Sequence, residues 1–324
     1  MLEIKDLRVR FHDADHDAVR GISLTVADGE IMGLVGESGS GKTVTAMVVS
    51  GLLPRKRADV TGQVLLDGKD LLALDGAAMR KRQGCAISVV FQEPMSAMNP
   101  VMRIGPQVEE ALRVHTKLKA EERKERALQA LRDVDLADAE AIYEKYPHQM
   151  SGGMLQRAMI AAAIISRPKL LLADEPTTAL DVTIQAQIMD LIVELNRKMN
   201  MGVILITHDL SVIAETCQRV AVMYLGQIVE EAGVEDIFDR PLHPYTRGLL
   251  RSIPSVEGDK RERLFVIEGV VPMLSAIPTG CRFGPRCPYA TERCRREAPE
   301  LTENGSGHRV RCWNYARAEE ESHG

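Results

Sequence analysis

A glycine-rich segment has the residue types of a phosphate-binding loop. Residues 36–43 read Gly-Glu-Ser-Gly-Ser-Gly-Lys-Thr, which fits the pattern G-x-x-x-x-G-K-[ST]. The glycines permit backbone conformations that turn successive amide groups toward phosphate oxygens, and a following helix adds its positive end. Lys42 can reach the β- and γ-phosphates of a nucleotide, and the Thr43 hydroxyl can bind Mg²⁺. The candidate nucleotide-binding residues here are Gly36, Glu37, Ser38, Gly39, Ser40, Gly41, Lys42 and Thr43.

Three polar side chains, Gln92, Asp174 and His208, each follow a short apolar run. Such runs predict strands buried on both faces of a parallel sheet. Because ligands of open α/β sheets bind just outside the carboxyl ends of strands, these side chains should converge there. Asp174 has the right chemistry to bind Mg²⁺, directly or through water, and Glu175 beside it is not needed as a ligand. The three runs are residues 87–91, 169–173 and 203–207.

Hydrophobic patterning predicts the elements that position these residues. Residues 31–35 form an apolar run that predicts a strand leading straight into the glycine-rich loop, and residues 42–53 predict a helix after it. Apolar and polar residues alternate at 7–11 and 22–26, which predicts two half-buried strands. The sequence therefore predicts a strand–loop–helix unit at the edge of an α/β sheet.

Composition is that of a globular protein without a strongly charged surface. The chain has 324 residues, 45% of them hydrophobic, and its 41 basic and 46 acidic residues give a net charge of −5. Without a basic field, we expect no nucleic-acid partner. The start of the chain lacks the apolar stretch of a secretory signal, and no apolar run approaches the ~20 residues of a membrane-spanning helix. Any membrane role should therefore come through partners.

A second glycine-rich element narrows the class of nucleotide-binding protein. Ser151, Gly152 and Gly153 are consecutive and lie 23 positions before Asp174, which Glu175 follows. This order, together with the phosphate-binding loop, resembles the ATP-binding-cassette (ABC) family. The resemblance implies an α/β P-loop ABC ATPase cassette, with a mixed sheet core and an inserted helical subdomain. It also implies that the serine and both glycines contact the nucleotide held by a partner subunit, so that hydrolysis requires two subunits arranged head to tail.

The resemblance assigns roles to the residues around the sheet edge. In the family, a glutamate at the position of Glu175 polarises the attacking water as general base. Gln92 resembles the glutamine that contacts Mg²⁺ and the water, and His208 resembles the switch histidine that bonds to the γ-phosphate. The resemblance therefore implies Glu175, His208 and Gln92 as catalytic residues, and Thr43, Gln92 and Asp174 as Mg²⁺ ligands.

Two further nucleotide contacts follow from the same resemblance. Residues 179–181 read Ala-Leu-Asp and match the family segment through which the two nucleotide sites communicate, so Asp181 is a candidate. Family members also stack adenine on an aromatic residue near the amino end, and base stacking contributes about 1–3 kcal/mol. Phe11 fits by position, although it fits a core strand residue equally well. His12 and His16 lie nearby as substitutes.

Several other segments resemble one branch of the family, the ATP-binding subunits of dipeptide/oligopeptide/nickel-type importers. The resemblance implies an ATPase at the cytoplasmic face of the plasma or inner membrane, peripherally bound, that powers import of short peptides or a related solute. Its partners would be a second homologous ATPase subunit or its own copy, two membrane permease subunits and an extracellular or periplasmic solute-binding protein. A groove near residues 94–100 would receive the permease. The segments are Tyr146-Pro147-His148-Gln149, residues 181–187, His243-Pro244-Tyr245-Thr246 and residues 280–288.

The composition changes after about residue 236, where prolines and then cysteines and arginines become frequent. We expect residues 1–235 to form the nucleotide-binding domain, with its helical subdomain at about 93–168. Residues 236–324 would form a small cysteine-rich extension with a four-cysteine metal site. Soluble chains with clustered cysteines more often bind metal than form disulfides.

Four cysteines of this extension, Cys281, Cys287, Cys294 and Cys312, are the candidate metal ligands. Zinc sites usually begin with cysteine pairs two to four apart, and these gaps are wider. Four thiolates suit a [4Fe–4S] cluster, although the spacing is not that of common ferredoxins. Some importers of the resembled branch carry such a cluster, so the resemblance favours [4Fe–4S], with zinc as the alternative and no metal as the third. Neighbouring arginines, among them Arg282, could offset the charge of a cluster.

Two other functions compete with solute import. A soluble non-transport ABC ATPase that acts on DNA or ribosomes would generally show fused twin cassettes, long coiled-coil insertions or strongly basic segments, none of which the sequence contains. A regulatory metalloprotein in which ATP is only structural would not need the set of Lys42, Asp174, Glu175 and His208. The sequence therefore favours the importer ATPase.

Overall fold

The computed structural model describes residues 1–178, 180–253, 265–273, 276–305 and 307–316. Within these residues the strands form two sheets, one of four strands and one of eight. The strands are β1 Leu2–Phe11, β2 Val19–Val26, β3 Ile31–Val35, β4 Ala58–Leu66, β5 Lys69–Asp70, β6 Ile87–Val90, β7 Leu170–Asp174, β8 Gly202–Ile206, β9 Arg219–Tyr224, β10 Gln227–Gly233, β11 Thr302–Glu303 and β12 Arg309–Val310. The helices are α1 Lys42–Val49, α2 Gly76–Arg80, α3 Pro94–Ala97, α4 Ile104–Val108, α5 Glu110–His115, α6 Ala120–Asp133, α7 Ala139–Glu144, α8 Gly152–Ile164, α9 Val182–Met199, α10 Leu210–Thr216, α11 Val234–Asp239, α12 Pro244–Arg251 and α13 Glu292–Arg296.

Five parallel strands form one side of the larger sheet, in the order β6-β7-β8-β3-β9 with β6 at the edge. β3 and β8 are buried along their whole length, and β7 up to its last residue, which explains why their sequences are unbroken apolar runs. The hairpin of β9 and β10 adds an antiparallel strand. The mixed α/β sheet expected from the sequence is therefore confirmed, and the carboxyl ends of its parallel strands lie along one edge.

The smaller, antiparallel sheet lies at the amino end in the order β2-β1-β4-β5. Its apolar residues, such as Ile4 and Leu24, share a core with Met32 and Leu34 of β3 and with Leu172 of β7. Both predicted amino-terminal strands are present within β1 and β2. This shared core fixes one face of the strand that leads into the glycine-rich loop.

Helices α3 to α8 occupy the interval between β6 and β7, where the sequence predicts helical character. α6 buries Ala127, Leu128, Ala130 and Leu131, and it packs against α7 and α8. The separation of this interval as a subdomain at 93–168 stays a prediction. Across the described ranges, no helix combines the length and the apolar character needed to cross a membrane.

The first helix ends earlier than the sequence predicts. α1 stops at Val49, whereas residues 42–53 were expected to be helical. Ser50 Oγ donates to the carbonyl oxygen of Ala46 at 2.7 Å, and Gly51 has a φ of +68°, a left-handed conformation that ends the helix. The glycine, rather than the following proline, therefore sets the end of α1.

Carboxyl-terminal residues extend the larger sheet. β12 pairs antiparallel with β10, with Glu230 opposite Val310 and Glu231 opposite Arg309, and β11 pairs with β12. α11 runs through positions 235 and 236, where the sequence predicts a domain boundary. Sheet and helix are thus continuous across that position, and the boundary itself stays a prediction.

Candidate nucleotide site

The glycine-rich loop joins the end of β3 to the start of α1 and needs glycine at specific positions. Gly36 has a φ of +146°, and a Cβ there would lie 2.1 Å from the carbonyl oxygen of Met223. Gly41 has a φ of +103°, and its Cβ would lie 3.0 Å from the carbonyl oxygen of Ala18. The loop therefore lies directly on the backbone of β9, and α1 begins with amide groups that no side chain caps. Uncapped amides at a helix start are suited to bind phosphate.

Lys42 is the buried cation of this loop. Its Nζ donates to the carbonyl oxygens of Gly36 and Glu37, at 2.6 and 3.0 Å. Burial lowers the pKa of Lys42, and the nearby carboxylates of Glu175, Asp174 and Glu37 act in the opposite direction. The lysine thus lies in a negative environment at the end of the sheet, where a triphosphate would bring further negative charge.

Oxygen donors for Mg²⁺ lie beside the loop. Thr43 Oγ1 donates to Asp174 Oδ1 at 3.4 Å, which links α1 to the end of β7. Burial raises the pKa of Asp174, because the ionised carboxylate loses hydration there. A divalent cation would compensate that cost, and Mg²⁺ typically uses one or two carboxylates with substrate phosphates. Thr43 and Asp174 therefore fit the ion, and Gln92 could add only its carbonyl oxygen Oε1, because its Nε2 donates to Glu175.

The side chains at the strand ends converge on the carboxylate of Glu175. Gln92 Nε2 donates to Glu175 Oε2 at 2.7 Å, Thr178 Oγ1 donates to the same oxygen at 2.9 Å, and His208 Nδ1 lies 3.3 Å from Oε1. The expected meeting of Gln92 and His208 beside Asp174 is therefore found. Glu175 itself has a φ of +47°, and its amide donates to the Ile206 carbonyl at 2.8 Å. This left-handed conformation is uncommon for a residue other than glycine, and it fixes the direction in which the Glu175 side chain leaves the end of β7.

The second glycine-rich element lies at the start of α8. Ser151 caps that helix, with its Oγ accepting from the Met154 amide at 3.4 Å. Asp181 caps α9 in the same way, accepting from Ile184 at 3.0 Å. A Cβ at Gly153 would lie 2.9 Å from Ile184, so the two helix starts lie side by side. No hydrogen bond or ion pair joins Ser151–Gly153 to the phosphate loop within the described residues. Of the expected communication segment, Ala179 lies outside the described residues.

The adenine-stacking candidate lies at the end of β1. Phe11 is half-buried and packs on the core beneath the smaller sheet, opposite Ala58 of β4. His12 is exposed, with its Nε2 3.3 Å from Asp59 Oδ1, and His16 is half-buried. The structure gives Phe11 the packing of a strand residue with one accessible face, so its role in stacking stays a prediction.

The four carboxyl-terminal cysteines come near one another without forming a compact ion site. Asn314 contacts two of them. Its backbone N–H donates to Cys312 Sγ at 3.3 Å, and its side-chain Nδ2 donates to Cys294 Sγ at 3.5 Å. Burial raises the pKa of Cys287 to about 11 and that of Cys312 to about 12, and the neighbouring thiols add to both shifts. Among the described residues, no group of three or more His, Cys, Asp or Glu could hold a metal ion. The predicted [4Fe–4S] or zinc site formed by Cys281, Cys287, Cys294 and Cys312 is therefore not confirmed.

Some residues at the site were not found from the sequence. Thr178 donates a hydrogen bond to Glu175. Its position three residues after that glutamate could have indicated the contact. Arg286 and Tyr245 both contact Glu37 of the phosphate loop, across separations of 249 and 208 residues. Nothing in the sequence pairs residues so far apart, although both lie in segments that the family resemblance singled out.

Together, the phosphate loop after β3 and the carboxylates after β7 define a P-loop nucleotide hydrolase of the cassette type. The profile described as ABC transporter matches residues 19–178, and the profile described as oligopeptide/dipeptide transporter, C-terminal region, matches residues 229–294. Two solved cassettes are similar over most of this fold. A dimeric post-hydrolysis cassette bound to ADP and phosphate has a TM-score of 0.65 and 28% identity, covering 72% of this chain and 99% of that one. A Clostridium perfringens cassette has a TM-score of 0.64 and 26% identity, covering 74% and 90%.

Curated relatives match nearly the whole chain. A probable peptide ABC transporter ATP-binding protein of Sinorhizobium fredii is 49% identical, over 97% of this chain and 94% of that protein. A dipeptide transport ATP-binding protein of Haemophilus influenzae is 49% identical, over 96% and 94%. An oligopeptide transport ATP-binding protein of Bacillus subtilis is 46% identical, over 97% of each. The chain therefore belongs to the ABC transporter ATPase family, in the group of ATP-binding subunits with the oligopeptide/dipeptide carboxyl-terminal region.

Proposed function

We propose that this chain binds and hydrolyses Mg²⁺-ATP in a head-to-tail dimer, and that hydrolysis powers import of short peptides or a related solute through two membrane permease subunits. The names of the curated relatives support a peptide cargo. They favour transport over the alternative of a soluble ATPase acting on DNA or ribosomes. A solute-binding protein outside the membrane and a peripheral position on its cytoplasmic face complete the proposal.

One observation carries the hydrolytic part of the proposal, namely the convergence of Gln92, Thr178 and His208 on the Glu175 carboxylate. Donors on both oxygens fix the orientation of this carboxylate beside the phosphate loop. A carboxylate held in this way can accept a proton from an attacking water, which is the role of a general base. His208 is exposed enough, at 67% of its side-chain surface, to reach a γ-phosphate.

The remaining residues bind and orient the substrate. The loop amides and Lys42 would hold the phosphates, while Thr43 and Asp174 would hold Mg²⁺, with Gln92 as a further ligand. When bound, Mg²⁺ neutralises charge on the phosphate oxygens. Phe11 would stack on the adenine. Phosphoryl transfer depends mainly on such positioning and charge stabilisation, and the chain supplies both at the sheet edge.

Exposure of the second glycine-rich element supports a dimeric site. Ser151 and Gly152 are exposed at the start of α8, and Asp181 is exposed at the neighbouring start of α9. Two adjacent helix starts present backbone amides and positive dipole ends to an anion. We propose that they close over the triphosphate held by a partner subunit, which is either a second copy or a homologous ATPase.

A surface beside Gln92 suits a permease segment. A cleft of about 290 Å³ lies between the sheet and the helices, with Phe91, Met98 and Met159 among its lining residues. Phe91 is 43% exposed and Met95 is 54% exposed. Exposed apolar side chains around a groove are typical of protein-binding surfaces. The expected docking region at residues 94–100 forms one side of this surface.

The first experiment replaces the proposed base by Glu175→Gln in the assembled complex, with the equivalent substitution in the partner ATPase. ATP hydrolysis should fall by about 10²- to 10⁴-fold, the usual contribution of a general base. ATP affinity should change little, because the amide keeps the size of the side chain. The substituted chain should also form a stable dimer when ATP is present. Hydrolysis is measured by phosphate release and dimerisation by size-exclusion chromatography.

Glu121→Gln, on the exposed surface of α6, is the matched control and should hydrolyse ATP at the wild-type rate. Near-normal turnover in Glu175→Gln would refute the assignment of the base. An ATP-bound dimer in which residues 151–153 face solvent, far from either nucleotide, would refute the head-to-tail arrangement.

We also propose that Cys281, Cys287, Cys294 and Cys312 bind a [4Fe–4S] cluster. Two observations support it. The four thiols lie close enough for their charges to interact. The largely buried guanidinium of Arg311 lies close enough to Cys281 for their charges to interact, and an anionic four-thiolate cluster would offset that cation.

The choice of an iron–sulfur cluster over zinc rests on the resemblance and on the cysteine spacing. Zinc sites usually begin with cysteine pairs two to four apart, and the gaps here are wider. Four thiolates suit a [4Fe–4S] cluster.

Metal analysis tests this second proposal. Protein purified without oxygen should contain iron and acid-labile sulfide in a ratio near one, and Cys287→Ser and Cys312→Ser should lose both. Cys85→Ser, at a half-buried thiol outside the four, should keep them. Stoichiometric zinc without iron, or the absence of both metals, would contradict the proposal.

A further inference from the structure

The phosphate loop is held by two side chains from far along the chain, Tyr245 and Arg286. Arg286 donates to Glu37 through both terminal nitrogens, Nη1 to Oε2 at 2.7 Å and Nη2 to Oε1 at 3.2 Å. Tyr245 contacts the same residue, because its hydroxyl oxygen accepts from the Glu37 amide at 2.8 Å. Glu37 is therefore fixed through both its side chain and its backbone.

Arg286 is itself rigidly placed. Its side chain is 4% exposed, and its Nε and Nη2 also donate to the carbonyl oxygens of Glu268 and Ile267, at 3.1 and 3.3 Å. Its guanidinium lies 5.9 Å from the ring centre of Tyr224, the last residue of β9. A planar, bidentate and largely buried pair of this kind is far more specific than an exposed ion pair.

Tyr245 is equally fixed. It is fully buried on α12 and lies in an aromatic cluster, with ring centres 4.7 Å from Tyr224 and 5.4 Å from Phe283. Tyr224 also contacts Phe283 edge to face at 5.3 Å. The cluster joins the end of β9, on which the phosphate loop lies, to α12 and to the turn that carries Arg286.

We propose that Arg286 and Tyr245 are positioning residues for ATP binding: they hold the phosphate loop in its binding shape and neutralise the carboxylate that Glu37 brings to it. Only glycine, serine, lysine and threonine accompany Glu37 in this loop. Its carboxylate would repel a triphosphate if it were unpaired. The carboxyl-terminal region thereby sets the affinity of the loop for nucleotide. This inference rests on the proposed ATP site, but not on the identity of the transported solute.

The test is a set of substitutions in the full-length chain, with Mg²⁺-ATP affinity measured by titration calorimetry. Arg286→Gln should raise the Kd about 5- to 20-fold, since it removes two charged hydrogen bonds and leaves Glu37 unpaired beside the phosphates. Glu37→Gln should raise the Kd less, about 2- to 5-fold, because it removes the repelling charge together with the contact. Tyr245→Phe, which removes only the hydroxyl, should fall in the same smaller range.

The double variant decides between a direct contact and a general loss of structure. Adding Glu37→Gln to Arg286→Gln should recover part of the lost affinity. If the two substitutions caused independent structural defects, their fold-increases in Kd would multiply instead. In the assembled complex, Arg286→Gln should raise the KM for ATP and leave kcat within about twofold, as expected for an effect on binding alone. A simple loss of folded protein would lower the apparent kcat instead.

Control variants keep each outcome interpretable. Arg296→Gln, at a 73% exposed arginine on α13, should bind ATP like the wild type, whereas Lys42→Ala should lose binding if the proposed ATP site is correct. If Arg286→Gln does not fold, Glu37→Gln probes the same contact from the side of the phosphate loop, where the side chain is 30% exposed. Wild-type affinity in Glu37→Gln, or multiplying effects in the double variant, would overturn the inference even if Lys42→Ala behaves as expected.

Discussion

Burial shifts the pKa of side chains on both sides of the phosphate loop. It lowers the pKa of Lys42 and raises that of Asp174. A partner of opposite charge would therefore stabilise the charged form of each group. His243, at the start of α12, shows the same effect without an active-site role. Burial lowers its pKa to about 4, and its neutral Nδ1 accepts from the Tyr245 amide at 3.0 Å.

His243 predicts a specific loss of stability in acid. Its pKa is near 6.5 in the unfolded chain and about 4 in the folded chain, so the unfolded state binds the extra proton as the pH falls between those values. The contribution of neutral His243 is therefore complete above pH 6.5 and is lost as the pH falls toward 4, by about 3 kcal/mol in total. His243→Asn keeps a good helix-capping acceptor without this titration.

Urea unfolding at pH 7.0 and pH 4.5 provides the measurement. The decrease in unfolding free energy between the two should be smaller in His243→Asn than in the wild type, and unchanged in His12→Asn, where the side chain is half exposed. Equal pH dependence in the wild type and His243→Asn would show that this histidine is not the acid-sensitive group.

At the scale of elements, Glu230 on β10 connects three parts of the fold. The side chain is fully buried and accepts from the amides of Leu242 and His243, at 2.6 and 3.0 Å. Its Oε1 also lies 2.7 Å from Nε2 of His308, which precedes β12. One carboxylate thus fixes the start of α12, and hence Tyr245, relative to the larger sheet.

Glu230→Gln should destabilise the protein by about 2–4 kcal/mol, because the amide nitrogen of glutamine would face buried N–H groups that need an acceptor. Thermal unfolding followed by circular dichroism checks this. Glu235→Gln, on the exposed face of α11, is the matched control and should unfold like the wild type. A melting temperature of Glu230→Gln close to that of the wild type would mean that water or another group replaces the lost acceptor.

Elements that could be predicted from the sequence are those whose burial is uniform. β3, β7 and β8 are buried on both faces and therefore read as apolar runs. β4 was missed, because Gly62 and exposed neighbours interrupt its alternation, and β11 is too short to leave a pattern.

At the scale of the whole molecule, contacts between distant parts of the chain complete the site. Sequence motifs predicted the phosphate loop and the strand-end residues, because each is a local pattern with a known chemistry. The contacts of Glu37 with Arg286 and Tyr245 could not be predicted, because only the tertiary fold brings such distant residues together. The same applies to Ser151 and Asp181, whose helices begin side by side. The site is thus built from local motifs, but non-local packing determines its shape.

The pairing of β12 with β10 has a consequence for how the cassette can be handled as an isolated fragment. An uncovered sheet edge exposes a row of free amide and carbonyl groups that can recruit another chain. In this protein, β11 and β12 cover part of that edge with strands of two residues each, and Arg309 forms an ion pair with Glu231 across it. A fragment ending near residue 235 would leave this edge of β10 open along its whole length. Glu230 would lose its contact with His308, and Glu231 would lose Arg309 and keep only Arg219 as an ion-pair partner. Self-association of such a fragment would then arise from pairing between uncovered β10 edges. It should not be mistaken for the dimer that forms when nucleotide binds.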